Sequence, residues 1–278
     1  MNDITEHYRE MRHQRLGEIP KSQKWSKVVA NIVHGGHGIG SVGTLLVNVE
    51  TIANDTLDAA EFGLSRSIDD PGLQYTFYLL TQITLASRED DWKEYLADIG
   101  ITLADDSSLF ELTAELQDAI DSHVWDHGGA TDVSEMAQQA AGEAISRLAG
   151  PNARTLFGSG SAELQDAVRK LSTKSGFSRL GQEFFGGFMA RFLNFYLSRI
   201  TTGQVGGDSL RQVSALSQFN DLLDAHCKQS AQIVRSFCGE WYSKTEFQKG
   251  INLQNTSGFM AIAMRKLQSE LSKQKEGQ

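Results

Sequence analysis

Proline is scarce in this chain, with three in 278 residues. Proline blocks helix interiors, so its rarity leaves long helices unobstructed, and segment after segment carries apolar residues at three- and four-residue spacing. The expectation is an all-α protein: a multi-helix bundle array of about ten helices without substantial sheet. Cysteine is equally rare. Cys227 and Cys238 stand eleven residues apart in a stretch, Ser209 to about Tyr242, that reads as one helix. A helix would hold them about 16 Å apart on nearly one face, too far for a mutual disulfide. Two buried thiols in a reducing compartment are expected. No run approaches ~20 clearly apolar residues, and the opening MNDITEHYREMRHQRL is too charged for a secretory signal. Cytoplasmic localisation is expected, and stable membrane insertion is not.

Positive charge is also in deficit: 26 Lys and Arg against 35 Asp and Glu, a net charge of −9. That balance argues against a nucleic-acid coat or an anionic-lipid binder. The charge is polarised, with 18 acidic and 3 basic residues between Glu50 and Asp126 and an excess of basic residues elsewhere. Its plain reading is solvated helix faces, and its functional reading is an acidic surface for a cationic partner. A hydrophobic content of 40% supports an ordinary globular core.

Local signals divide the chain. Thr5 to Leu16 reads as a first helix, followed by Lys21, Lys24 and Lys27 around Trp25, a solvated helix start more than a phosphate contact. Thr44 to Phe62 carries a stripe of Leu45, Val49, Ile52, Thr56, Ala59 and Ala60, with Gly63 placed as a stop. Asp70-Pro71 pairs a capping side chain with proline at the first helical position, opening a bulky apolar helix to Ser87 that is expected in the core. Asp91 to Ile99 reads as a short helix stopped by Gly100. Ser108 with Glu111, and Asp132 with Glu135, read as capping boxes for Leu109 to Val124 and Val133 to Ala149. Gly150-Pro151 ends the latter. Residues 151–160 form a packed connection between an N-terminal half, 1–150, and a C-terminal half, 161–278, unless the whole is one domain. Beyond it lie Ala162 to Leu171, the Ser209 stretch and Gly258 to Lys275. Between them Gly176 to Ile200 combines seven aromatic residues with Gly181, Gly186 and Gly187, a pattern in which small residues admit a neighbouring helix and aromatics fill the sides.

The most unusual stretch is His34-Gly35-Gly36-His37-Gly38-Ile39-Gly40-Ser41-Val42-Gly43, inside an uncharged run from Val28 to Val49. Gly38 to Gly43 matches the dinucleotide pattern G-x-G-x-x-G, and Asp55, Asp58 and Glu61 follow at a suitable distance. They fall in a helical pattern, however, and no alternation of strands and helices follows, so a tight bend between apolar helices is expected instead. A Walker loop is excluded because no Gly-Lys-Ser or Gly-Lys-Thr occurs, and the nucleophile elbow is missed in spacing. His123 and His127, one helical turn apart around Asp126, extend the stripe of Leu112, Leu116 and Ile120 and are expected to face inward. With His34 and His37 they make a candidate metal set of His34, His37, His123, Asp126 and His127, suited to zinc or another divalent metal, if the two pairs meet. Hydrogen-bonding core histidines are the plainer reading.

The expected function is a non-enzymatic helical adaptor or subunit that mediates protein–protein interaction in a cytoplasmic complex, with a protein partner or a second copy of itself. It would use the acidic middle or the aromatic-glycine helix. Metal-dependent catalysis at the His/Asp cluster is the alternative. A membrane-active effector using 28–49 is the third reading.

Overall fold

The computed structural model describes residues 16, 22–34, 49–153, 161–202 and 213–273. Among these are twelve α-helices and no strand. They are α1 (Gln23–His34), α2 (Val49–Ala59), α3 (Glu61–Ser67), α4 (Pro71–Ala86), α5 (Trp92–Asp98), α6 (Leu109–Asp126), α7 (Asp132–Ala149), α8 (Ser161–Arg169), α9 (Lys174–Thr202), α10 (Val213–Ser230), α11 (Gln232–Lys249) and α12 (Leu253–Lys273), with a 3₁₀ turn at Lys170–Ser172. The all-α architecture expected from the periodicity is the one adopted. The glycine run 35–43, the helix expected before Leu16 and most of the 151–160 connection lie outside the described residues.

Helix starts follow local chemistry. Asp70 accepts a hydrogen bond from the Leu73 amide, with Pro71 at the first helical position, and α4 begins there. Ser108 and Glu111 exchange both bonds of a capping box at the start of α6. At α7 the box is shifted by one residue: Thr131 and Ser134 form it, not Asp132 and Glu135. Asp132 instead accepts the Leu16 amide at 2.7 Å, so its carboxylate anchors a distant segment.

Two expected helices are divided. Gly63 does not stop a helix but lies inside α3, and the break falls at Ala60. The glycine is there for space, because a Cβ on it would sit 2.6 Å from the Tyr196 hydroxyl. The long helix expected from Ser209 to Tyr242 turns at Ala231, so Cys227 and Cys238 belong to different helices, both thiols free and buried. Burial pushes both thiols well above the ordinary range. The turn lets α10 and α11 each lie against α9.

That helix, α9, is the axis of the core and packs against α7, α10 and α11. Phe177, Phe184, Phe185, Phe188 and Phe192 are completely buried. Its glycines are contact points: a Cβ on Gly181 would meet Cys238 Sγ of α11 at 2.4 Å, and one on Gly186 would meet Lys228 Cα of α10 at 2.7 Å. Small residues therefore admit neighbouring backbones and the rings fill the space beside them, as expected. The same burial withdraws this helix as an interaction surface. Phe77 of α4 lies among Phe177, Phe184 and Phe185, at ring-centroid distances of 5.9, 5.3 and 5.0 Å. A continuous cluster of buried residues, from Trp25 to Leu271, draws on both sides of 151–160.

Charge reinforces the same junction. Glu143 of α7 accepts from Arg147 at 2.7 Å, Arg191 of α9 at 2.6 Å and Lys228 of α10 at 2.8 Å, and Lys228 also meets Asp224 at 2.8 Å. Burial alone would raise the Glu143 carboxyl, but the hydrogen bonds from Lys228, Arg191 and Arg147 outweigh it and hold it at about 2.

Candidate functional site

A cleft of about 380 Å³ opens where α1, α3, α9 and the turn from α6 to α7 meet. Its buried wall is aromatic and aliphatic: Trp25 from α1, Ala60, Val133 from α7 and Tyr196 from α9, with Trp25 and Tyr196 tilted against each other at 5.1 Å. Its rim carries exposed Phe62 and Arg66 of α3, with the Arg66 guanidinium over the Phe62 ring at 5.8 Å, and exposed His127. The indole N–H of Trp25 is buried and has no acceptor among the described residues. Leaving such a donor unmet costs about 1–3 kcal/mol.

Asp70 and Thr131 also border the cleft, and each is already committed. Thr131 Oγ1 donates to Asp70 Oδ2 at 2.7 Å while the Leu73 amide donates to Asp70 Oδ1 at 2.9 Å. Burial raises the Asp70 carboxyl above its ordinary value, with the bonds from Thr131, Leu73 and Gly72 opposing that shift. This carboxylate caps α4 and ties it to the start of α7, which is a structural role.

The histidine pair at the end of α6 is arranged differently from the expectation. His123 is half-buried and stacks on Tyr75 of α4 at 3.8 Å, whereas His127 is exposed and stacks on His123 at 4.0 Å. His127 Nδ1 lies 2.7 Å from the His123 carbonyl oxygen. The inward stripe does not carry on to His127 because α6 ends at Asp126, and Gly128 and Gly129 turn the chain with φ of 108° and 94°. Asp126 is exposed. His34 is the last residue of α1, and its side chain, like His37, lies outside the described residues. Among the described residues no group of three or more His, Cys, Asp or Glu is placed to hold a metal ion. None of the described helices is long and apolar enough to cross a membrane.

Of the lysines around Trp25, Lys24 and Lys27 are engaged in ion pairs, and Lys21 lies outside the described residues. Lys27 meets buried Asp55 at 2.7 Å, Asn31 donates to the same carboxylate at 2.6 Å, and Lys24 reaches the Asp58 carbonyl at 3.0 Å and Glu61 at 3.6 Å. These contacts clamp α1 to α2 and α3. Of the three acids that follow the glycine pattern, Asp55 and Glu61 thus receive α1 through their carboxylates and Asp58 through its backbone carbonyl.

The acidic middle forms a surface. From Glu89 to Asp126 the chain has twelve acidic residues and one basic residue, Lys93, which is held by Asp105 at 3.0 Å and by the Ala104 carbonyl at 2.9 Å. On α6, Glu111, Asp118, Asp121 and Asp126 are exposed, and so are Phe110 and Trp125 at 69% and 58%. Asp118 and Trp125 are two helical turns apart and share a face.

Sequence patterns had no means of finding the cleft. Its residues come from five separate stretches, and only Trp25, through its lysine neighbours, and His127, as a candidate metal ligand, are singled out beforehand for contact with a ligand. No protein-family model matches the chain, and no curated protein or solved structure shows a significant match to it.

Proposed function

We propose that this chain is a non-enzymatic helical adaptor or subunit of a cytoplasmic complex, binding a basic amphipathic segment of a protein partner along α6 and the turn before it. The observation that carries this reading is the acidic exposed face of α6 with Phe110 near one end and Trp125 near the other. Bare acidic helix faces are ordinary solvated surface, whereas two large exposed aromatics among carboxylates offer both burial and charge to one ligand. The nearby cation, Lys93, is already paired, so it does little to offset the field. Complementary charge of this kind speeds encounter and sets register, while the aromatic anchors supply most of the affinity.

The test is affinity purification of the native protein alongside a variant carrying Asp118→Lys and Trp125→Ala. A stoichiometric partner, retained by the native chain, released by moderate salt and lost from the variant at unchanged thermal stability, is the expected result. Recovery of a lone monomer, or equal retention by the variant, overturns the reading.

A further inference from the structure

We propose that the basic segment received by the acidic face of α6 belongs to a second copy of this chain, where it is the exposed seam between α11 and α12, so that copies associate head to tail. The inference rests on the reading of α6 as a partner-binding face. Charge is divided along the chain: against the acidic stretch that ends at Asp126, residues 161–278 hold 15 basic and 10 acidic residues. The seam concentrates that excess. Ile262 of α12 is 51% exposed, and Arg265 and Lys266, within about one turn of it, are exposed too. The Lys266 ammonium lies 5.4 Å over the ring of half-buried Phe237 of α11, and exposed Lys244 stands about two turns further along that helix. The acids of these helices do not cancel the field. Glu240 is held by Lys174 at 3.1 Å, Glu246 is held by Arg88, and Glu270 is half-buried. Among the described residues neither Lys244 nor Arg265 makes an ion pair.

The two faces match in kind. Trp125 stands among Asp118, Asp121 and Asp126, and Ile262 stands beside Arg265 and Lys266. Each face offers an exposed apolar side chain inside charges of one sign, and the signs are opposite, so one contact buries both anchors and pairs both sets of charges. The faces do not meet within one molecule. α6 packs on α4 through the stack of His123 on Tyr75, whereas α12 packs on it through Phe259 against Phe77 and Ser257 bonded to Gln74. Tyr75 and Phe77 point about 160° apart around the α4 axis, so the outer faces of α6 and α12 look to different sides. The contact is therefore heterologous, and each copy that has engaged one neighbour still presents its other face to the next. The net charge of −9 opposes association of like copies. Head-to-tail contact sets acid against base, and repulsion between the separated acidic stretches is screened beyond about 10 Å at 0.1 M salt.

Sedimentation velocity of the purified full chain, followed over about a hundredfold range of concentration, tests the proposal. At about 0.05 M salt the average mass is expected to rise with concentration from monomer through dimer and beyond, and at about 0.5 M salt to return to monomer. Asp118→Lys with Trp125→Ala spoils the α6 face, and Arg265→Glu with Lys266→Glu spoils the α12 face. Each double variant should stay monomeric at unchanged thermal stability. Mixed together they keep one intact face apiece and should form a 1:1 dimer that grows no further, which also shows that both are folded. Ile262→Ser, which removes only the apolar anchor, should weaken association about tenfold. A native chain that is monomeric throughout, association that survives Arg265→Glu with Lys266→Glu, or a mixture that stays monomeric each overturns the proposal. A monomeric chain that retains a different stoichiometric protein, lost from the α6 variant, overturns this inference and leaves the α6 reading in place. Partner retention untouched by the α6 variant overturns both.

Discussion

Gly186 faces the backbone of Lys228 so closely that a Cβ built on it would lie 2.7 Å from the Lys228 Cα. Two helices can meet at that distance only where one of them has no side chain, and α9 and α10 meet there.

Gly186→Ala is therefore expected to destabilise the protein by about 1–3 kcal/mol, since the atom it meets is backbone and cannot rotate away. Gly142 supplies the control. It lies within α7, and a Cβ there would touch nothing within 4 Å. Gly142→Ala should stabilise by about 0.5–1 kcal/mol, through a less disordered unfolded chain. Urea midpoints of the two variants should move in opposite directions. A shift of the same sign in both would show that helix propensity, not the α9 contact, governs these positions.

The Glu143 network predicts a pH dependence with a definite sign. Its carboxyl titrates at about 2 in the folded chain against 4.5 in the ordinary state, so the native protein binds fewer protons than the unfolded one between those values. The associated stability is complete above about pH 4.5 and is lost as pH falls towards 2. Glu143→Gln should cost about 1–2 kcal/mol near neutral pH, at the modest end because a third of the side chain faces solvent. The gap between variant and native protein should close on acidification. A gap independent of pH would mean that Glu143 acts through packing.

The stacked histidines lead to a third expectation. Burial lowers the His123 pKa below 6.5, the neighbouring His127 lowers it further, and Asp126 opposes them. A depressed value means that the contribution of His123 to stability is present above pH 6.5 and disappears as pH falls through its folded value. His127→Ala should move the His123 titration, followed by NMR, back towards 6.5 without reaching it, because burial remains. With no group of three or more His, Cys, Asp or Glu placed to hold an ion among the described residues, zinc is expected well below one ion per chain after purification without a tag. Stoichiometric zinc that disappears when both histidines become alanine, with the fold kept, would restore the metal reading.

Much of this architecture is legible in the order of residues, because helix formation and capping are local events. Asp70-Pro71, Ser108 with Glu111 and the apolar spacing of α4 and α9 act within a few residues of themselves, and each does in the fold what its spacing implies. The shifted cap at Thr131 and the turn at Ala231 were not legible. A neighbour distant in sequence decides each of them: Leu16 occupies the Asp132 carboxylate, and α9 requires α10 and α11 to approach it separately. Gly63 is the clearest case. Alone it reads as a helix stop, and only Tyr196, brought over from α9, turns it into a wall of the cleft. The sequence by itself determined the helical class, most helix boundaries and the acidic stretch, since propensity, capping and charge are properties of neighbours along the chain. The cleft, the burial of the aromatic-glycine helix and the stacking of His123 on Tyr75 were decided by tertiary structure alone, because each depends on surfaces that meet only after the helices have packed.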